Sequence, residues 1–254
     1  MMLGDSNTVA VSPSLLAQSD GIGPAFELKF LVDEALARDV ECWARSHLMP
    51  DPHGDPVLGG AYDTTTLYCD TAALDVFHRA PSYRRRKFRI RRYGSEEALF
   101  LERKSKSGDR VAKRRVAIRH DELPVLAHPV ALASWPGHWF HQSLLMRRLR
   151  PACLVAYRRT AFVGAQSQSG LRLTLDRNIR ANPTEDWRVP ELTAGTSPFQ
   201  GQVILEMKFR LALPMLFRRL IEEMRLSPVG VSKYRRCQEA WFGTNSRVRE
   251  NGHA

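Results

Sequence analysis

The stretch "YRRRKFRIRRYGSEEALFLERKSKSG", residues 83–108, decides how this chain reads. It carries Arg84, Arg85, Arg86, Lys87, Arg89, Arg91, Arg92, Arg103, Lys104 and Lys106, yet Phe88, Ile90, Leu99, Phe100 and Leu101 stand among the charges at strand-like spacing. A disordered basic tail has no such apolar interleaving. Side chains on a strand point to alternate faces. Lys87, Arg89 and Arg91 therefore share a face opposite Phe88 and Ile90. Glu102 and Lys104 share one opposite Leu99, Leu101 and the aliphatic stem of Arg103. The question is why a folded strand aligns so much positive charge and sets a carboxylate within it.

The pattern recurs along the chain. Glu27 and Lys29 oppose Phe26, Leu28 and Phe30; Arg172, Thr174 and Asp176 oppose Leu171, Leu173 and Leu175. Glu206 and Lys208 oppose Val203, Leu205, Met207 and Phe209, while Lys113 and Arg115 alternate less cleanly against Arg114, Val116 and Ile118. One reading is an antiparallel sheet with one solvated face. The other is a sheet closed into a barrel, with apolar residues outward under helices and charges inward. About eight strands enclose one small ligand. Unpaired buried charge is costly, so such a lumen needs water, ion pairing and a charged ligand. Polyphosphate suits the cations. Carboxylates beside it repel it unless they hold a divalent metal, and Mg²⁺ or Mn²⁺ bridges carboxylates and phosphate oxygens. On this reading Arg and Lys hold phosphates and Glu102 holds the metal.

The totals agree with an anionic partner. Lys and Arg number 38 against 27 Asp and Glu, a formal charge of +11. That bias admits nucleic acid, an anionic membrane or a phosphate-rich molecule. Four scattered cysteines without a CxxC, and eight histidines without HExxH, argue against zinc and for a reducing compartment. No signal peptide and no membrane-spanning apolar run are read, so the expectation is a cytoplasmic protein without a transmembrane segment of its own. Surface attachment through a membrane-protein partner stays open.

Residues 1–24, rich in Ser, Gly and Pro, read as disordered, residues 25–242 as one domain, and 243–254 as a loose tail. Strands are expected at 25–32, 62–71, 86–93, 98–104, 111–119, 153–163, 169–179 and 202–209. Helices are expected at 33–48 with Asp33 as N-cap, at 213–226, and at 232–241 with Ser232 as N-cap. The expected fold is α+β: a closed antiparallel eight-stranded β-barrel, a tunnel with a charged interior, coated by helices.

The succession "ELKF" (27–30), "KFRIRRY" (87–93), "LERK" (101–104), "KRR" (113–115), "YRRTAF" (157–162), "LRLTLD" (171–176), "LEMKF" (205–209) and "SKYRR" (232–236) resembles the VTC domain. That is the catalytic-type domain of vacuolar transporter chaperone polyphosphate polymerases, in the triphosphate tunnel metalloenzyme superfamily. The resemblance implies a tunnel that binds ATP, triphosphate or polyphosphate with Mn²⁺ or Mg²⁺. It implies Lys29, Arg89, Arg91, Lys104 and Glu206 as catalytic residues. Lys113, Arg115, Arg159, Arg172, Lys208, Ser232, Lys233 and Tyr234 become substrate-binding residues. Glu206 is the main metal carboxylate, with Glu27, Glu102 and Asp176 as further metal candidates on the tunnel wall. Arg159 and Lys233 rest on the resemblance alone. The phosphosensing domain and membrane spans of the eukaryotic polymerases are not found here.

The implied reaction is metal-assisted phosphoryl transfer from a triphosphate. With a phosphate chain as acceptor the product is polyphosphate; with water the protein is a triphosphatase. A non-catalytic polyphosphate-binding subunit and a nucleic-acid-binding protein remain as alternatives. Against nucleic acid stand the Glu and Asp residues interleaved on the cationic faces.

Overall fold

A computed structural model describes residues 25–107, 110–165 and 170–250, with side chains described at 25–105, 111–165 and 170–241. The expectation of disorder for 1–24 lies outside the described residues. The elements are β1 (Phe26–Val32), α1 (Glu34–His47), β2 (Met49–Pro50), β3 (Ala61–Asp70), α2 (Asp75–His78), β4 (Arg86–Tyr93), β5 (Ala98–Ser107) and β6 (Arg110–Arg119). There follow α3 (His138–Arg147), β7 (Arg150–Val163), β8 (Arg172–Pro183), β9 (Val203–Phe209), α4 (Met215–Glu223) and α5 (Lys233–Glu250). The strands form one antiparallel sheet in the order β1-β9-β8-β7-β3-β4-β5-β6, with the short β2 on β7.

Local chemistry explains the boundaries. Asp33 caps α1 by accepting from the Leu36 N–H at 2.8 Å. The Ser232 hydroxyl accepts from the Arg235 N–H at 3.4 Å at the start of α5. That helix runs to Glu250, eight residues into the segment read as a loose tail.

The expected closed barrel is corrected. The sheet curls, but among the described residues its edge strands β1 and β6 are joined only at the Ala25–Val111 bridge, with N–H···O distances of 3.2 and 3.0 Å. The reason lies in β1's free edge. The Lys29 carbonyl, four residues past the bridge, accepts from the Val229 N–H at 2.7 Å. A non-strand segment ahead of α5 thus takes the edge that a closing ladder needs, and Pro228 has no N–H to extend one.

The apolar face lies under the helices. Phe30, Val32, Leu173, Leu175, Leu205 and Met207 pack with Ala37, Val40 and Ala44 of α1 and Phe217 and Leu220 of α4. Leu67, Phe88, Ile90, Leu99, Leu101 and Val155 pack with Phe140 and Leu144 of α3 and Tyr234 and Cys237 of α5. The opposite face of the curled sheet is left to the cavity.

A cationic cavity as the candidate active site

A cavity of about 980 Å³ lies against that face. Nearly every long strand contributes a cation to its wall. Lys29 comes from β1, Lys87, Arg89 and Arg91 from β4, Lys104 from β5, and Lys113 and Arg115 from β6. Arg159 comes from β7, Arg172 from β8, Lys208 from β9 and Lys233 from α5. With Arg79, Arg84, Arg85 and Arg235, fifteen lysines and arginines among the described residues face the cavity against two carboxylates, Glu27 and Glu206. This imbalance suits a compact polyanion.

Register places the two carboxylates. On β1 and β9, Glu27 pairs with Lys208 and Lys29 with Glu206. Glu27 and Glu206 are thus diagonal neighbours on one face, a relation that separates positions by about 7–8 Å. Each carries a lysine. Lys29 lies 3.3 Å from Glu206, and Lys104 bonds both Glu27 oxygens at 2.7 and 2.8 Å. Burial opposes ionisation of Glu206, but Lys29, Lys104, Arg159 and Lys233 outweigh it and hold the carboxyl well below its ordinary range.

Glu102 and Asp176 stand elsewhere than the sequence reading puts them. Both are 0% exposed and are not among the residues lining the cavity. Glu102 accepts from Arg89 Nε at 2.8 Å and Nη2 at 2.7 Å, with Arg91 at 3.9 Å and Lys113 at 3.6 Å. Asp176 takes Arg159 in a two-pronged pair at 2.6 and 2.8 Å and is also ion-paired to Lys233. Burial would raise both pKa values, but the adjacent cations lower them, Arg89 foremost for Glu102 and Arg159 for Asp176. These carboxylates lie behind the wall and fix the guanidiniums that form it. That answers the opening question: Glu102 sits within the basic run as a counter-ion, and Glu102 and Asp176 lie off the lining on which the sequence reading puts them as metal candidates.

Tyr234 also lies off the lining. It is 1% exposed, does not line the cavity, and donates to Asp70 Oδ2 at 2.5 Å. Asp70 also accepts from the N–H groups of Thr71, Val76 and Phe77. Tyr234 therefore ties α5 to the start of α2. A Tyr234→Phe protein is expected to lose about 1.5 kcal/mol, the low end for a bond to a charged acceptor, because three N–H donors still serve Asp70. Denaturant melts check the stability, and turnover should not change.

Lys233 lines the cavity beside Tyr157, its Nζ 4.7 Å from the ring centre. Ser232 also lines it and accepts from Lys87 Nζ at 2.8 Å. Arg172 lines it while bonded to Asp51 at 2.5 Å and the Tyr62 hydroxyl at 2.9 Å. The Arg115 guanidinium lies 3.8 Å from the Phe100 ring centre.

The reading of candidate residues passed over Lys87, Tyr62, Tyr68 and Tyr157, all of which line the cavity. The tyrosines had a signal: Tyr62, Thr64, Thr66 and Tyr68 alternate along β3 and share its cavity side. Lys87 is a strongly perturbed cation. Burial, then Lys29, Lys104, Arg89 and Arg79, push its pKa down to about 7. Its folded pKa thus falls below the unfolded value of about 10.4. Stability from this group rises with pH across that window, since the unfolded chain binds the extra proton. An arriving polyanion reverses the cause and protonates it. Triphosphate binding near pH 8 is therefore expected to take up protons and to weaken as pH rises. Calorimetry in two buffers of different ionisation enthalpy measures the uptake, and Lys87→Met should reduce it.

A family model for the VTC domain matches residues 25–242. The chain belongs to the VTC domain family. No curated protein matches this VTC domain. Among solved structures it resembles a candidate adenylate cyclase from Bacillus halodurans, with TM-score 0.52 and 14% identity, covering 83% of this chain and 96% of that one. It also resembles a Hippeastrum protein, a candidate adenylyl cyclase described as having a dominant triphosphatase activity. That match has TM-score 0.51 and 16% identity, covering 84% and 93%. At such identities the likeness establishes the shared fold of the VTC domain. Among the described residues no group of three or more His, Cys, Asp or Glu is placed to hold a metal, and no helix is long and apolar enough to cross a membrane.

Proposed function

We propose that this VTC domain carries out metal-dependent phosphoryl transfer on triphosphates, making polyphosphate from ATP. The observation that carries the reading is the cavity wall: fifteen cations, several held rigid by buried carboxylates, and two acids. Phosphoryl transfer asks a protein chiefly for position and electrostatics. Arg89, fixed by Glu102, and Arg159, fixed by Asp176, present preorganised guanidiniums to phosphate oxygens. Such fixed donors need no reorganisation as charge spreads over the transferred group. Lys29, Lys104 and Lys113 add point charges, and Arg91, braced by the Thr66 hydroxyl at 3.3 Å, adds a third fork.

The donor set fits Mn²⁺ or Mg²⁺. Such ions are commonly held by one or two carboxylates together with substrate phosphates, and the wall offers Glu206 and Glu27. When bound, the ion neutralises charge developing on the phosphates. Arg172, Lys208, Arg115, Ser232 and Lys233 complete the proposed phosphate contacts. The protein works in the cytoplasm on this reading, either alone or beside a membrane-protein partner; its four cysteines are free and three are buried.

The second reading is hydrolysis, favoured by the triphosphatase activity described for the Hippeastrum neighbour. Glu27, bonded to Lys104 at the wall, is the carboxylate available to orient water. One incubation with ATP and Mn²⁺, resolved on a gel, separates these. Long chains support the polymerase, and free phosphate alone supports the hydrolase. Neither product, or binding that depends on nucleic acid, would overturn both.

A further inference from the structure

One cluster of charge outside the cavity has no part in that chemistry. On the helix-covered face of β5 and β6, Arg103 and Arg114 are register partners. Arg86 lies two residues from Phe88, which is Arg103's partner on β4. Arg103 and Arg114 both lie over the Trp139 ring of α3, their guanidinium carbons 5.9 and 4.3 Å from its centre. Arg147 ends the same helix and lies 5.8 Å from the Tyr83 ring centre, three residues before Arg86.

Among the described residues this cluster has no counter-ion. The charges acting on Arg103 are Arg86, Arg114 and Arg147, all cations. Arg103 Nε is buried and has no hydrogen-bond partner. The acids beyond β6 are used elsewhere, Asp121 by Arg119 and Glu122 by Trp135 and the Arg119 N–H. Four like charges repel one another. Stacking on Trp139 offsets part of that, and the rest awaits an anion. Guanidinium forks match phosphate oxygens in shape and donor number.

Continuity with the cavity says which anion. Arg84 and Arg85 are exposed and also line the cavity, so they stand at its rim. Lys87 lines the wall, while Arg86, on the other side of the strand, does not. Residues 84–87 therefore cross the rim and carry cations from inside to outside. A triphosphate seated in the cavity stays within the wall. A longer chain leaving at this rim passes Arg84 and Arg85 and meets Arg86 next. We infer that Arg86, Arg103, Arg114 and Arg147, gathered about Arg103 with Trp139 under two of them, form a second anion site that binds the emerged part of a linear polyphosphate chain. This rests on the proposal that phosphoanhydrides occupy the cavity.

The test compares tripolyphosphate with a long-chain polyphosphate as probes, on wild type and on R86Q/R103Q/R114Q. The long chain should bind the variant at least tenfold more weakly. Its log–log salt dependence should flatten by about one per arginine removed. Tripolyphosphate affinity should be unchanged. R86Q/R114Q, at two exposed positions, repeats the test if the Arg103 change impairs folding. Equal long-chain affinity and salt slope in variant and wild type would overturn the site. So would an equal loss for both probes, which would make the cluster only part of the cavity's field. Wild type that binds anionic vesicles through these arginines but not the long chain would also overturn it. Wild type that binds the long chain but not tripolyphosphate, with the variant losing that binding, keeps this site and removes the cavity proposal.

Discussion

A Glu206→Gln protein is expected to lose about 10³-fold or more in turnover while still binding triphosphate. The loss corresponds to about 4 kcal/mol of transition-state stabilisation, a size in keeping with several kcal/mol from a metal acting on phosphoryl oxygens. Glu206 is the carboxylate that combines exposure to the cavity with a strongly favoured charged form. The amide keeps its shape and removes its charge. Binding should survive because the phosphates meet the cations, and Lys29 loses its carboxylate partner and becomes more available to them. Metal-free tripolyphosphate affinity is thus expected to equal or exceed wild type, while Mn²⁺ affinity, read by paramagnetic resonance, falls. Turnover within tenfold of wild type would remove Glu206 from the proposed metal site.

How much of this was legible in the sequence follows from what alternation encodes. Period-two patterning tells which face a side chain takes. Lys29, Arg89, Arg91, Lys104, Arg172, Lys208 and Glu206 follow the alternation, Lys113 follows it less cleanly, and all reach the cavity. Alternation says nothing of depth. Glu102 and Asp176 share the cavity side of their strands with Lys104 and Thr174, but shorter side chains beside long arginines are covered by them. A wall acid and a counter-ion behind the wall look the same in sequence. Closure was illegible for another reason: it turns on where one carbonyl of β1 finds its donor, and the Lys29–Val229 bond joins residues two hundred apart. The bond of Tyr234 to Asp70 was illegible because a motif names a residue without naming its partner, and Asp70 lies in a different element. The tyrosines of β3 went unread as cavity residues because only ionisable dyads were sought.

The counter-ion role of Glu102 gives the largest expected effect on stability. Glu102→Gln leaves Arg89, Arg91 and Lys113 gathered around a neutral amide at a position that is 0% exposed. Breaking a buried pair by removing one partner costs about 3–5 kcal/mol. In a chain of this size that lowers the melting temperature by about 6–20 °C. The pH dependence has a definite sign. The Glu102 carboxyl is held below its unfolded value of about 4.3. Its contribution is therefore present above that pH and disappears as pH falls toward the lower folded value. Wild type and variant should differ fully at neutral pH and converge in acid. A ligand that brings negative charge to Arg89 replaces part of what the carboxylate supplied. Tripolyphosphate should accordingly raise the melting temperature of the variant more than that of wild type. A metal ligand is told apart by the ion: its amide would blunt the response to Mn²⁺. Melting within 2 °C of wild type at neutral pH, or a fall that tripolyphosphate does nothing to recover, would return Glu102 to the wall.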